Sequence, residues 1–137
     1  MNMLLPMLAM MLITFVVWLL LLFRRVTDSR NNNINIEDVA TPDQASEAFG
    51  EKTNAVSNCF KNMFELPVVF YAISCLLIFT GAVDQLYVNL AWGFVALRAV
   101  QMIVHCSYNR VLHRFIAYLT SSIMLWAMVF RFTIAFV

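Results

Sequence analysis

Two polar stripes cross an otherwise apolar sequence, each spaced for one face of a helix. The first is Asn54, Asn58, Asn62 and Glu65; the second is Arg98, Gln101, His105 and Asn109. A glutamate and an arginine beside or within hydrocarbon are costly, so each is expected to face protein or a cavity rather than lipid. An arginine-centred, electropositive pocket at a membrane edge suits an anionic amphiphile. It equally suits a thiol whose pKa must fall so that it reacts as thiolate. Two blander readings stand beside these. The asparagines can be glue between helices, worth about 0.6 to 2 kcal/mol per contact, and Glu65 can be half of one buried ion pair. Arg98 lies about 18 Å along a helix axis from Arg110, at about 1.5 Å per residue, too deep to reach the flanking loop easily. It needs an acidic partner, an anion or water. Glu65 is the one acidic residue within or bordering the apolar stretches, so the two are expected to face one cavity and interact directly or through one water, within or between subunits. A small transporter in which Glu65 exchanges protons is a further reading.

Other chemistries lack their residues. A haem held by two histidines needs ligands on facing helices, whereas His105 and His113 lie on one continuous stretch. No cluster has metal-ligand spacing, no serine accompanies a histidine and a carboxylate, and three glycines form no phosphate loop. Neither metal nor haem is therefore expected. Cys59, Cys75 and Cys106 are odd in number, lie in or beside apolar stretches, and read as small core residues.

The elements that must position the stripes are long and apolar. The chain is 62% hydrophobic and 12% charged, with mean hydropathy +0.77, which sets it apart from soluble domains. The net charge of +1 gives no reason to expect a nucleic-acid partner. Four spans are predicted, at about 4–23, 56–82, 86–107 and 115–136, in one all-α bundle covering residues 1–137. The uncharged run Leu4 to Phe23 is followed rather than preceded by basic residues (Arg24 and Arg25), the pattern of an uncleaved anchor. Arg24, Arg25, Arg30, Lys52 and Lys61 lie between the first two spans, and Arg110 and Arg114 between the last two. The positive-inside rule then places both termini outside the cytoplasm, with Asp84 and Arg131 on their side of the lipid bilayer.

The segment of about 24–54 is the one extended polar region, expected to be a cytoplasmic loop and either a lid or disordered. Asn31 to Asn35 predicts poor order. Thr41-Pro42-Asp43-Gln44 predicts a helix start with Thr41 as cap and Gln44 reaching back. Gly50 is expected to end that helix and Thr53 to cap the next, while Pro67 is expected to kink the second span.

Asn62-Met63-Phe64-Glu65-Leu66-Pro67-Val68-Val69-Phe70 resembles the N-x-x-E-x-x-P-x-F signature of the MAPEG family, the membrane-associated proteins in eicosanoid and glutathione metabolism. Its proline sits one place earlier here. Arg98, followed by His105 and Arg114, is similar to the family's R-x-x-[HY]-x-x-x-Y stripe and its later arginine. The resemblance covers essentially the whole chain, as to a divergent, bacterial-type member in an inner membrane. It implies a homotrimer of four-helix bundles with glutathione between subunits, near the cytoplasmic side. Asn62 and Glu65 would contact glutathione, with Asn58, Gln101 and His105 at neighbouring site positions, and Arg98 and Arg114 would be the anion or thiolate partners. The implied activity is glutathione transfer to lipophilic electrophiles, or peroxide reduction. The sequence also departs from the pattern. Asn58 stands where glutathione-using members commonly carry arginine, Gln101 replaces an aromatic residue or histidine, and His105 replaces the later tyrosine. A non-catalytic lipid-binding role, or that of an accessory subunit in a larger membrane complex, is the alternative.

Overall fold

A computed structural model describes residues 2–136, and its regular elements are all helical. The first helix, α1 (Leu4–Asn32), does not stop where the apolar run ends but continues past Arg24 and Arg25. It closes at Asn33, which adopts the left-handed conformation at φ 50°, one that asparagine tolerates better than most side chains. The expected poor order at Asn31 to Asn35 is therefore replaced by a helix end and its cap. A 3-10 turn (Ile36–Val39) leads to α2 (Pro42–Ala48), so much of the presumed loop is helical. The capping box at Thr41 forms as expected: Gln44 N donates to Thr41 Oγ1 at 3.3 Å, and Thr41 N donates to Gln44 Oε1 at 3.2 Å.

Gly50 begins α3 (Glu51–Asn62) rather than ending α2, whose cap is Phe49. Thr53 is no cap; it is buried inside α3, where its hydroxyl donates to Asp28 Oδ2 at 2.6 Å and ties α3 to α1. The second span is broken rather than bent. Met63 to Glu65 leave the helix, and α4 (Leu66–Phe79) restarts with Pro67 in its first turn, where a missing N–H costs nothing. A turn at Gly81 (φ 68°) reverses the chain into α5 (Gln85–Cys106), and a second turn through Asn109 (φ 47°) leads into α6 (Val111–Phe136).

Among the described residues, four helical stretches are long and apolar enough to cross a membrane: Leu4–Asn32, Glu51–Phe79, Gln85–Cys106 and Val111–Phe136. Their outward faces carry residues such as Leu12, Phe15, Phe23, Phe79 and Ile123, a surface that only lipid or protein can cover. Inside, Met7, Met10 and Val17 of α1 pack with Phe70, Ile73 and Leu77 of α4, Ala91 and Phe94 of α5, and Leu125 and Met128 of α6. Phe70 stacks on Phe94 with ring centroids 4.7 Å apart. At Gly93 of α5 the space a Cβ would take is filled by the Met124 thioether.

One ion pair fastens the end of the bundle opposite the basic loops. Asp84 caps α5 by accepting from Tyr87 N at 2.9 Å, and the same carboxylate is clamped by both terminal nitrogens of Arg131, with Nη1 at 2.9 Å from Oδ1. The guanidinium also lies 4.3 Å over the Tyr87 ring. The Arg131 hydrogen bonds, then that of Tyr87 N, hold the Asp84 carboxyl at about 2, below its ordinary value of 3.8. Both side chains are about 40% exposed, so salt screens the pair. A depressed folded-state value means the stabilisation is present above the unfolded value and disappears as pH falls through about 2. Asp84→Asn, which retains a cap but loses the clamp, is expected to lower the melting temperature in detergent at pH 7. That deficit should shrink in high salt and vanish as the pH approaches 2; a deficit unchanged across this range would show that the charge is not its source.

Candidate functional site

The second polar stripe is the interior of the bundle. Arg98 is fully buried, and Gln101 and His105 are nearly so. Arg98 Nη1 donates to Gln101 Oε1 at 2.8 Å, an i to i+3 contact along α5, while its Nε and Nη2 have no hydrogen-bond partner among the described residues. The guanidinium instead lies 5.4 Å from the Phe94 ring centroid and 5.1 Å from that of Tyr118. Aromatic faces offset part of the cost of a desolvated cation but accept no directed hydrogen bond comparable to a carboxylate's. No carboxylate is within ion-pairing distance, since the Asp84–Arg131 contact is the one salt bridge among the described residues.

Arg114, at the start of α6, reaches back to α5. Its Nη1 meets His105 Nε2 at 3.1 Å and Asn109 Oδ1 at 3.0 Å. Arginine only donates, so His105 Nε2 must be the acceptor and the ring proton sits on Nδ1, which is buried without a partner. Among the described residues, these contacts leave Arg114 Nε and Nη2 without a hydrogen-bond partner.

Between α3, α5 and α6 lies a cavity of about 200 Å³ lined by Asn62, Gln101, Arg114 and Tyr118, with Val111 and Phe115. Arg98 lies directly behind it through Gln101 and Tyr118. Along α6 runs a wider, apolar groove of about 770 Å³, which includes Leu66, Leu119, Ile123, Trp126 and Phe130. Tyr118 lines both. The cavity offers amide and guanidinium donors to a polar ligand, the groove offers apolar walls, and the two meet at one phenol.

The sequence-predicted residues divide accordingly. Asn62, Gln101 and Arg114 share the cavity, Arg98 lies behind it, and His105 braces Arg114. Asn58 is exposed and lines a different cavity, with Arg25 and Lys61. Glu65 is also exposed: the break at Met63 to Glu65 takes it off the helix whose face it was expected to share. The expected direct contact between Glu65 and Arg98 is not formed within the chain. Tyr118 was missed, although Arg114 and Tyr118, four residues apart, lie on one helical face. Among the described residues no three His, Cys, Asp or Glu side chains gather as metal ligands.

The family model described as the MAPEG family matches residues 3–134. No curated protein and no solved structure matches the chain.

Arg98 and Glu65 form no ion pair within one protomer, so their coupling there is expected to be weak. In a double-mutant cycle on monomeric protein, Glu65→Gln and Arg98→Gln should add to within about 0.5 kcal/mol. A buried pair would give Arg98→Gln a cost of about 3 to 5 kcal/mol, partly recovered in the double variant. That recovery, read from denaturant or thermal unfolding, would contradict the arrangement.

Proposed function

Because this chain belongs to the MAPEG family, we propose that it is an integral membrane protein that binds glutathione at the Asn62–Gln101–Arg114 cavity and directs its thiol at lipophilic electrophiles or peroxides. The observation that supports this reading best is the junction at Tyr118. A hydrophilic thiol and a membrane-borne substrate need separate surfaces that meet at the reacting atoms, and a polar cavity and an apolar groove share this residue. The donor set fits the ligand's chemistry. A thiolate needs positive charge beside it, and Arg114 has unengaged guanidinium nitrogens while Arg98 adds a second cation behind Gln101. The thiol proton leaves to solvent. The sulfur then forms a bond to an electrophilic carbon as the leaving group departs with its electron pair. With a peroxide, the sulfur takes one oxygen as the O–O bond breaks, the alkoxide collects a proton, and a second glutathione releases water as the disulfide forms.

About 200 Å³ is less than the roughly 300 Å³ at which pockets for small organic ligands begin. A tripeptide therefore needs walls from a neighbouring subunit, and Asn58 and Glu65 are exposed polar groups beside the apolar span that begins at Leu66. Both features favour a homotrimer with α3 near the axis, in which Glu65 of one chain completes the site by holding the ligand's amino group. The single bundle of residues 1–137 would sit with its basic end in the cytoplasm and both termini outside, as the distribution of Arg24, Arg25, Arg110 and Arg114 favours.

One observation favours a second reading. Asn58 supplies no cation for a glycyl carboxylate, and losing a charge-assisted bond roughly halves the strength of that contact. In that case the cavity and groove hold an amphiphile without turnover, as in an accessory subunit. Calorimetry of the detergent-purified protein with glutathione separates the two. Binding between micromolar and low-millimolar concentrations is expected, weakened about tenfold or more by Arg114→Gln, the loss of roughly 1.4 kcal/mol or more. No heat at about 10 mM glutathione, a concentration where even a contact worth roughly 3 kcal/mol would register, contradicts the glutathione reading and leaves the amphiphile one.

A further inference from the structure

Two thiols face each other where α3 passes the end of α5. Cys59 is buried on α3, while Cys106, the last residue of α5, is half-buried and packs against the apolar cluster to which Cys59 belongs. Their side chains interact directly. The two differ in access. A cavity of about 200 Å³ opens between the start of α3 and the end of α5, and its lining includes Cys106, Lys52, Ala55 and Tyr108 but not Cys59. Lys52, Ala55 and Cys59 stand at i, i+3 and i+7, so Cys59 continues the cavity-lining face of α3 about one turn deeper. This cavity shares no lining residue with that of Asn62 or that of Asn58. Arg24 of α1 has a buried Nε without a hydrogen-bond partner among the described residues, and its charge acts on the Cys106 sulfur. A thiolate at that sulfur therefore has a counter-charge at hand.

We propose that Cys59 and Cys106 form a reversible dithiol site that exchanges with small disulfides, Cys106 as the attacking thiol and Cys59 as the resolving one. In the first step the Cys106 thiolate attacks one sulfur of the disulfide, whose S–S bond breaks as one thiolate leaves. In the second, Cys59 gives up its proton and attacks the Cys106 sulfur, forming the Cys59–Cys106 bond and expelling the other half. The protons of the two cysteines end on the two released thiols, and the protein passes two electrons to the small disulfide. Burial sets the order, since a reagent in the cavity meets Cys106 first and Cys59 lies behind it. The basic end, cytoplasmic in the topology favoured above, suits a transient bridge rather than a structural one, because cytosolic thiols are kept reduced. The bridge would join α3 to the residue beside His105, whose ring nitrogen accepts from Arg114. The exchange does not depend on glutathione binding at the Asn62 cavity.

Peptide-level mass spectrometry tests it, on the purified full chain treated with hydroxyethyl disulfide and then alkylated in denaturant. The wild type should lose the Cys59 and Cys106 thiols together and yield a peptide cross-linked between them, with both thiols restored by dithiothreitol. Cys59→Ser should instead accumulate the hydroxyethyl adduct on Cys106, at about tenfold or more the level in the wild type, because the second step is intramolecular. In Cys106→Ser, the buried Cys59 should react at least about tenfold more slowly than Cys106 does in Cys59→Ser. A wild type that holds a stable adduct on Cys106 without closing, or that remains fully alkylatable at both positions, overturns the proposal whatever the variants do. Bridges that run through Cys75 instead overturn it as well, and equal reactivity of Cys59 in Cys106→Ser that elutes as the wild type does overturns the assigned order. The reagent carries no glutathione, so failure here and failure of glutathione binding are read separately.

Discussion

A guanidinium buried without a counter-charge is the constraint on which the interior depends. Arg98 is fully enclosed and has one hydrogen bond, to Gln101, with two of its nitrogens unmatched. Taking such a group out of water is costly, and what offsets it is the arrangement around it: the Phe94 ring on its own helix, the Tyr118 ring on α6, and the Gln101 amide one turn away. Tyr118 can serve Arg98 only if α6 lies close along α5. The Asp84–Arg131 clamp fastens the two helices at their far end. The same packing presents Tyr118 to the apolar groove along α6.

At the other end the cation density is organised rather than diffuse. Arg114 spends one nitrogen on His105 and Asn109 and leaves the rest to the inner cavity, whereas Arg25 and Lys61 line an outer one walled by α1, α2 and α3. Within α3, Asn62 lines the inner cavity and Asn58 the outer one, and the break at Met63 to Glu65 takes Glu65 off the helix to the protomer's surface. Two polar cavities thus draw on what reads in sequence as one stripe.

The span pattern and the capping box at Thr41 were legible because each is written locally, in hydropathy over about twenty residues or in a four-residue motif. The resemblance to the MAPEG family was legible for the same reason, from one short motif and the order of charged residues. The Glu65–Arg98 contact was not. It assumed one helical register from Asn54 to Glu65, and a helix that stops at Asn62 and restarts at Leu66 loses that register before Glu65. The clamp between Asp84 and Arg131 joins residues far apart in the chain, and same-side placement was all that periodicity could offer. Tyr118 escaped because an aromatic residue in an apolar helix looks like lipid-facing or core packing until a cation is found against its ring. Asn33 and Thr53 show the converse, in that polar residues read as disorder or as a cap were used to close one helix and to join two others.

Ultraviolet difference spectroscopy of glutathione mixed with the purified protein tests most directly whether the buried and half-buried arginines act on a thiol. The expected result at neutral pH is a saturable thiolate absorbance, one per site, lost in Arg114→Gln while the variant keeps its helical content. Glutathione that binds but stays protonated at saturation, with the fold intact, would contradict it and leave the cations of α5 and α6 as packing alone.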